Sequence, residues 1–202
     1  EWMCWYYGLC SCAATERALA AALADPEVDE VLLDIDSPGG RTAGVPELAE
    51  AVFRASKPVR VWSRSMIASA AYWVASQAES IKVGAGVTVG SIGVFVAYFD
   101  LSTAVGSFGA KLELVRAGDY KGVGMPGLQI QPEDLVPTKA MVDHVYEEFV
   151  RAVARGRGLD EAAARALATG RVWIGHEALT AGLVDYVGAM PAPDDDEEET
   201  MS

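Results

Sequence analysis

Two residues of this chain could together carry out nucleophilic acyl chemistry. They are Ser69, in Met66-Ile67-Ala68-Ser69-Ala70-Ala71-Tyr72-Trp73, and Lys121, in Arg116-Ala117-Gly118-Asp119-Tyr120-Lys121-Gly122. A serine hydroxyl attacks a carbonyl only when a base takes its proton. Small neighbours leave room for a peptide carbonyl to approach Ser69, and a helix start there favours developing negative charge. The Ala70 N–H could then hold an oxyanion. In isolation the same serine reads as an ordinary helix N-cap.

The base is not an obvious histidine. His144 falls within a long helix near Glu147 and Glu148, and His176 opens a late helix, so neither stands as a Ser-His-Asp triad requires. A lysine can serve when burial lowers its pKa from about 10.4 towards neutrality. Lys57 precedes a proline, Lys82 and Lys111 begin strands, and Lys139 lies on the acidic helix. Lys121 alone has a glycine-flanked loop that could fold over a site, with Asp119 counting slightly against a lowered pKa. Taken singly, a lysine in such a loop is a solvated charge.

Two further segments could complete the chemistry. Leu32-Leu33-Asp34-Ile35-Asp36-Ser37-Pro38-Gly39-Gly40 reads as a buried strand ending in a sharp turn. Its glycines let a substrate come close to bare backbone, so the Gly40 N–H is a candidate oxyanion donor. Taken alone, the segment is a plain strand-to-helix turn. In Gly90-Ser91-Ile92-Gly93-Val94, Ser91 could orient a catalytic amine, and it reads equally well as a turn serine.

The elements that must position these residues alternate between strand and helix. Helices are expected at Thr15 to Leu23, Gly44 to Ala55, Ser69 to Ala78, Leu101 to Phe108, Glu133 to Arg155, Asp160 to Ala168 and His176 to Ala181. Strands are expected at Val28 to Ile35, Val59 to Trp62, Lys111 to Val115, Val172 to Ile174 and Leu183 to Val187. Short strands and turns fill Ile81 to Phe95. Ser63 to Ala68 reads as a connection, and Ala117 to Pro132 as a long loop. The class is α/β with a largely parallel core. The opening strand of such a sheet is missing from the N-terminus.

Composition narrows the field. The chain has 202 residues, enough for one cored domain, and a net charge of −13, which argues against a nucleic-acid-binding surface. Six of those charges form the run Asp194 to Glu199, so residues 1–190 are expected to be one domain and 191–202 an acidic disordered tail. Cys4, Cys10 and Cys12 are odd in number and lack a second cluster for zinc, which suggests free thiols in a reducing, intracellular setting. Apolar runs stop short of membrane-spanning length, and no signal peptide is evident. Glu1 is not a natural start, so an anchor upstream stays open.

With these residues in view, the chain resembles the signal peptide peptidase A family of serine peptidases, within the Clp protease/crotonase superfamily. Asp34 to Gly40, the Ser69 segment, Gly90 to Val94, Ala117 to Gly124 and the closing Gly170 to Gly188 appear in that family's order. The resemblance implies a repeated β-β-α core with helices packed around a largely parallel sheet. It implies Ser69 as nucleophile, Lys121 as general base, Ser91 as the hydrogen-bonding partner of the lysine, and Gly40 and Ala70 as oxyanion donors. No metal or cofactor is required. Ala70-Ala71 stands where the family usually has two glycines, a departure that keeps the backbone donors.

The resemblance also implies a peptide or protein substrate and a homo-oligomeric ring or dome, in which one site can take its serine and lysine from adjacent protomers. The acidic extension and the lack of a visible anchor favour the phage head-maturation branch, acting on scaffold or capsid proteins in the cytoplasm or a prohead. Signal-peptide turnover at a membrane is the other branch. Two other classes compete: an acyl-CoA-binding crotonase-like enzyme and a catalytically inactive assembly module.

Overall fold

In the computed structural model, residues 10–189 are described. Cys4 and the acidic run fall outside them, as does most of the N-terminal stretch expected to lack the opening strand. The described residues divide into two compact units, one of residues up to Gly93 together with those from Glu148 onward, the other Val94–Glu147.

The first unit opens with α1 (Cys12–Ala24), whose N-cap Ser11 accepts from the Ala14 N–H and which stops at Asp25 before Pro26. Strand β1 (Val31–Asp34) and helix α2 (Val45–Phe53) follow. Helix α2 buries Val45, Leu48, Ala49 and Val52, the i, i+3, i+4, i+7 pattern of an amphipathic helix. Then come β2 (Val59–Ser63), β3 (Met66–Ala68) and α3 (Ala70–Ala75), followed by β4 (Ser80–Val83) and β5 (Thr88–Gly90).

These strands form two sheets. The first has the order β1-β2-β4-β7 and is parallel throughout; the second has the order β3-β5-β6, with β3 and β5 parallel and β6 antiparallel. One face of the first sheet supplies much of the core, with Val59, Val61, Ile81 and Val83 all buried.

Three of the four passages through the first sheet, β1, β2 and β4, run directly into the second. The Ile35 N–H still bonds to the Trp62 carbonyl of the first sheet at 2.8 Å, and two residues later the Ser37 N–H bonds to the Met66 carbonyl of the second, also at 2.8 Å. The successions β1–Ser37–α2 and β2–β3–α3 are the repeated β-β-α units expected, and β4–β5 repeats their strand pair.

Three local expectations are corrected here. Ser37 to Gly40 is not a tight turn: it runs alongside β3, with Ser37 bridged in parallel to Ile67. Met66 to Ala68 is not a connection but β3, in register with Thr88 to Gly90. Lys111 to Val115 does not form a strand, and Val115 is 99% exposed. The alternation there has no partner to pair with among the described residues.

The second unit contains α4 (Ser102–Ser107), the glycine-rich loop bearing Lys121, a 3₁₀ turn at Pro132–Leu135 and the first half of α5 (Val136–Gly156). Asp100 holds the start of α4 to the far end of the loop, accepting from the Ser102 hydroxyl and amide and from the Ile130 N–H. Those donors, the Ser102 hydroxyl first, hold its carboxyl below the usual range.

The second half of α5 belongs to the first unit. Phe149 stacks on Trp73 with ring centroids 4.7 Å apart, and Arg155 binds Gln77 and Glu50. Helix α6 (Glu161–Leu167) starts from Asp160, whose side chain accepts from the Ala163 N–H at 2.7 Å. The chain closes with β6 (Val172–Ile174), α7 (His176–Thr180) and β7 (Tyr186–Val187). Arg157, with its side chain only 7% exposed, pins this closing segment by pairing in bidentate fashion with Asp185 and donating to the Gly182 carbonyl. Among the described residues no helix is long and apolar enough to cross a membrane.

Candidate active site

Strand register gathers the first unit's candidates. Ser37 is bridged to Ile67, and Ile67 is the register partner of Val89. Two residues further along these three chains stand Gly39, Ser69 and Ser91. All three lie just past the carboxyl ends of parallel strands, where open α/β sheets place their ligands.

Ser69 has φ 53° and ψ −126°, a region that a residue with a side chain rarely enters. It precedes the first residue of α3, yet its side chain makes no capping bond. The N-cap reading therefore does not account for it. Two backbone bonds hold it: its N–H donates to the Gly90 carbonyl at 2.8 Å, and its own carbonyl accepts from the Trp73 N–H at 3.0 Å. The side chain is half-buried. Positive φ on a non-glycine residue costs on the order of 1–3 kcal/mol, and it persists only where surrounding structure enforces it.

Gly39 is part of that enforcement. A Cβ there would lie 2.7 Å from both the Ala68 carbonyl oxygen and the Ser69 Cβ, and 2.8 Å from the Ala70 nitrogen. The residue must be glycine for both its φ of 94° and this contact. Its N–H is taken by the Ser37 hydroxyl at 3.2 Å. The next N–H, of Gly40, is left without an acceptor among the described residues, as is that of Ala70, the first of α3. Sequence reasoning singled out Gly40 and Ala70 and missed Gly39, whose role is steric. The paired glycines held that signal, since only one of two adjacent N–H groups is needed as a donor.

Ser91 also has positive φ, 52°, directly after Gly90 at 112°. Its N–H donates to the Arg171 carbonyl of the β6 approach at 2.7 Å. Ser69 and Ser91 are the two non-glycine residues with positive φ among the described residues.

Lys121 belongs to the second unit. Its N–H closes a turn on the Gly118 carbonyl at 3.1 Å, and Gly118 and Gly122 on either side have φ of 94° and 90°. The loop is seated on apolar neighbours: a Cβ on Gly122 would meet Leu114 at 2.8 Å, and one on Gly124 would run into the Tyr98 ring. The lysine is exposed in the single chain, and no hydrogen bond or ion pair engages its ammonium group among the described residues. His144 and His176 are exposed as well, each on the helix where it was expected.

Known proteins resemble this chain in both sequence and fold. Protease 4 of Haemophilus influenzae is 30% identical over 177 residues, covering 86% of this chain and 28% of that protein. Capsid assembly protease C of Escherichia phage lambda is 32% identical over 189 residues, covering 89% of this chain and 41% of its own length. The chain thus spans well under half of either relative. Among solved structures, a lysine-to-alanine variant of the 1510-N membrane-bound stomatin-specific protease, bound to a substrate peptide, superposes with a TM-score of 0.58. It is 16% identical and covers 88% of this chain and 68% of the other, a likeness of fold. The family model for peptidase family S49 matches residues 51–192, which include β3, the strained serines, the glycine loop and the closing β6–β7 segment. On that match the chain belongs to peptidase family S49.

Proposed function

We propose that the chain is a serine endopeptidase in which Ser69 is the nucleophile and Lys121 the general base. The observation that carries this reading is the conformation of Ser69. A hydroxyl without a structural bond is held at strained φ, between the Gly39 backbone and the unshared Ala70 N–H. Ser69 Oγ attacks the scissile carbonyl while the neutral Lys121 amine takes its proton. The Gly40 and Ala70 amides receive the oxyanion, each such donor contributing about 3–4 kcal/mol in the transition state. The protonated lysine then delivers its proton to the leaving amine, and water hydrolyses the acyl-enzyme. Ser91 orients the amine.

An ammonium group cannot act as a base, so the lysine must lose water when the site is complete. The second unit leaves Phe95, Phe99 and Phe108 more than three-quarters exposed, large apolar rings that an interface would cover. Both facts support a homo-oligomer in which Lys121, of the same or a neighbouring chain, is covered. The proposed substrate is an extended segment of a protein; similarity to the phage lambda capsid assembly protease is in keeping with capsid or scaffold proteins, and similarity to a putative signal peptide peptidase of Enterococcus faecium with signal peptides.

Labelling with a fluorophosphonate probe tests the assignment. Wild type should label and cleave an unfolded protein substrate; Ser69→Ala should do neither; and Lys121→Ala should lose cleavage while keeping its fold and assembly. Labelling of Ser69→Ala at the wild-type rate refutes the reading.

A further inference from the structure

The corner Gly90-Ser91 has no obvious reason to hold its shape unaided. Two successive residues have positive φ, and one of them carries a side chain. What stands behind it is β6. Gly90 is the register partner of Val172, and a Cβ on Gly90 would fall 2.7 Å and 2.8 Å from Cε3 and Cζ3 of Trp173, and 3.1 Å from the Arg171 carbonyl oxygen. The indole therefore lies against bare backbone where any other residue would place a side chain.

Trp173 is itself fixed. It is 7% exposed, and the Arg171 guanidinium lies over its ring at 5.4 Å. A little further along, the Gly170 N–H donates to the Ile92 carbonyl at 3.0 Å, so the corner is bonded to the β6 approach on both sides of Ser91.

We infer that Trp173 is a positioning residue for the reaction: its ring is the plate against which Gly90 is held, and through Gly90 it fixes the Ser91 hydroxyl. This rests on the Ser69–Lys121 reading above. Of the two serines, Ser91 depends more on the plate. Ser69 is also held by the Trp73 N–H on its carbonyl and by the Gly39 backbone, whereas the bonds that hold Ser91, the Arg171 carbonyl on its N–H and the Gly170 N–H on the Ile92 carbonyl, both come from the segment that carries Trp173. Without the ring, Gly90 regains the freedom peculiar to glycine, and Ser91 relaxes from its positive φ. The effect should appear in turnover and not in substrate binding, because Trp173 is buried behind the corner.

The experiment compares Trp173→Val and Trp173→Phe, each alone and combined with Ser91→Ala. It follows kcat and KM on a peptide substrate and the rate of fluorophosphonate labelling, with thermal unfolding recorded in parallel. In folded protein, Trp173→Val should lower kcat by about tenfold to a hundredfold, in keeping with displacement of a catalytic group by a fraction of an ångström. KM should stay within about twofold, and Trp173→Phe, which keeps a ring, should lose less. On the Ser91→Ala background the same substitution should add less than about twofold, because the two residues act through one another. Wild-type kcat in a folded Val variant, or the same loss with and without Ser91, overturns the inference. If the Val variant does not fold, Trp173→Leu, which has more bulk and no ring, decides by the same two comparisons. Labelling that survives Ser69→Ala strikes the underlying reading, whereas its loss alongside a silent Trp173 series removes this inference alone.

Discussion

Gly39→Ala should be far more damaging than Gly40→Ala, although the two glycines are adjacent. An alanine at 39 places its Cβ 2.7 Å from the Ala68 oxygen and the Ser69 Cβ, where ordinary contact begins at 3.4 Å. Both opposing atoms are backbone or next to it, so neither can rotate away. The shortfall of about 0.7 Å must be met by moving Ser69 or the Gly39 strand, and a 1 Å misplacement of reacting groups costs on the order of a hundredfold. Positive φ at residue 39 adds roughly 1–3 kcal/mol of strain. At about 2–4 °C per kcal/mol for a chain of this size, the melting temperature should fall by several degrees. At Gly40 nothing lies within 4 Å of where a Cβ would stand and φ is not positive, so Gly40→Ala should melt as wild type does. The assay is kcat on a peptide substrate together with thermal unfolding of both variants. Wild-type turnover and stability in Gly39→Ala would refute the claim that this contact holds the serine.

Other consequences concern stability. Asp185→Ala strands the Arg157 guanidinium and removes the acceptor for the Ile81 N–H, which should cost about 3–5 kcal/mol in denaturant unfolding. Gly156→Ala, ordinarily favourable in a helix, should destabilise here, because the new Cβ would collide with the Ser76 carbonyl oxygen; thermal unfolding checks the sign. Tyr72 is fully buried and donates to the Leu183 carbonyl at 2.8 Å, and burial first of all pushes its hydroxyl above the ordinary tyrosine value of 10.0. A folded-state pKa raised above the unfolded one means stability that is complete below the unfolded value of about pH 10 and is lost as pH rises from there through the folded-state value, because only the unfolded chain gives up its proton in that window. Tyr72→Phe should lose about 1–2 kcal/mol at neutral pH and change the alkaline dependence, as seen in unfolding at about pH 7 and pH 11.

Elements whose cues are local could be read from the sequence. Val172 to Ile174 is a strand with the expected bounds, and Asp160 caps its helix through a side-chain bond three residues long. The alternation of strand and helix was legible in local pattern, whereas the repeated β-β-α unit was implied by the family resemblance. What escaped depends on distant partners. Met66 to Ala68 is too short to show a period and becomes a strand only by pairing with Thr88 to Gly90. Lys111 to Val115 has the pattern but nothing to pair with among the described residues. At the site, residue type and order pointed to Ser69, Ser91, Gly40 and Ala70. The steric part of Gly39 and the plate formed by Trp173 are contacts across strands, which one-dimensional spacing does not encode. Lys121 was read from its loop, and the loop's seating on Tyr98 and Leu114 is again a matter of contacts.

The two serines at positive φ bear on how this sequence can drift. Considered as backbone alone, positions 69 and 91 suit glycine, which enters such angles freely, so Ser69→Gly and Ser91→Gly should unfold later than wild type. A lineage selected only to fold would shed both hydroxyls and gain robustness by doing so. That this chain still spells serine at both places fits the part in the reaction proposed for both hydroxyls.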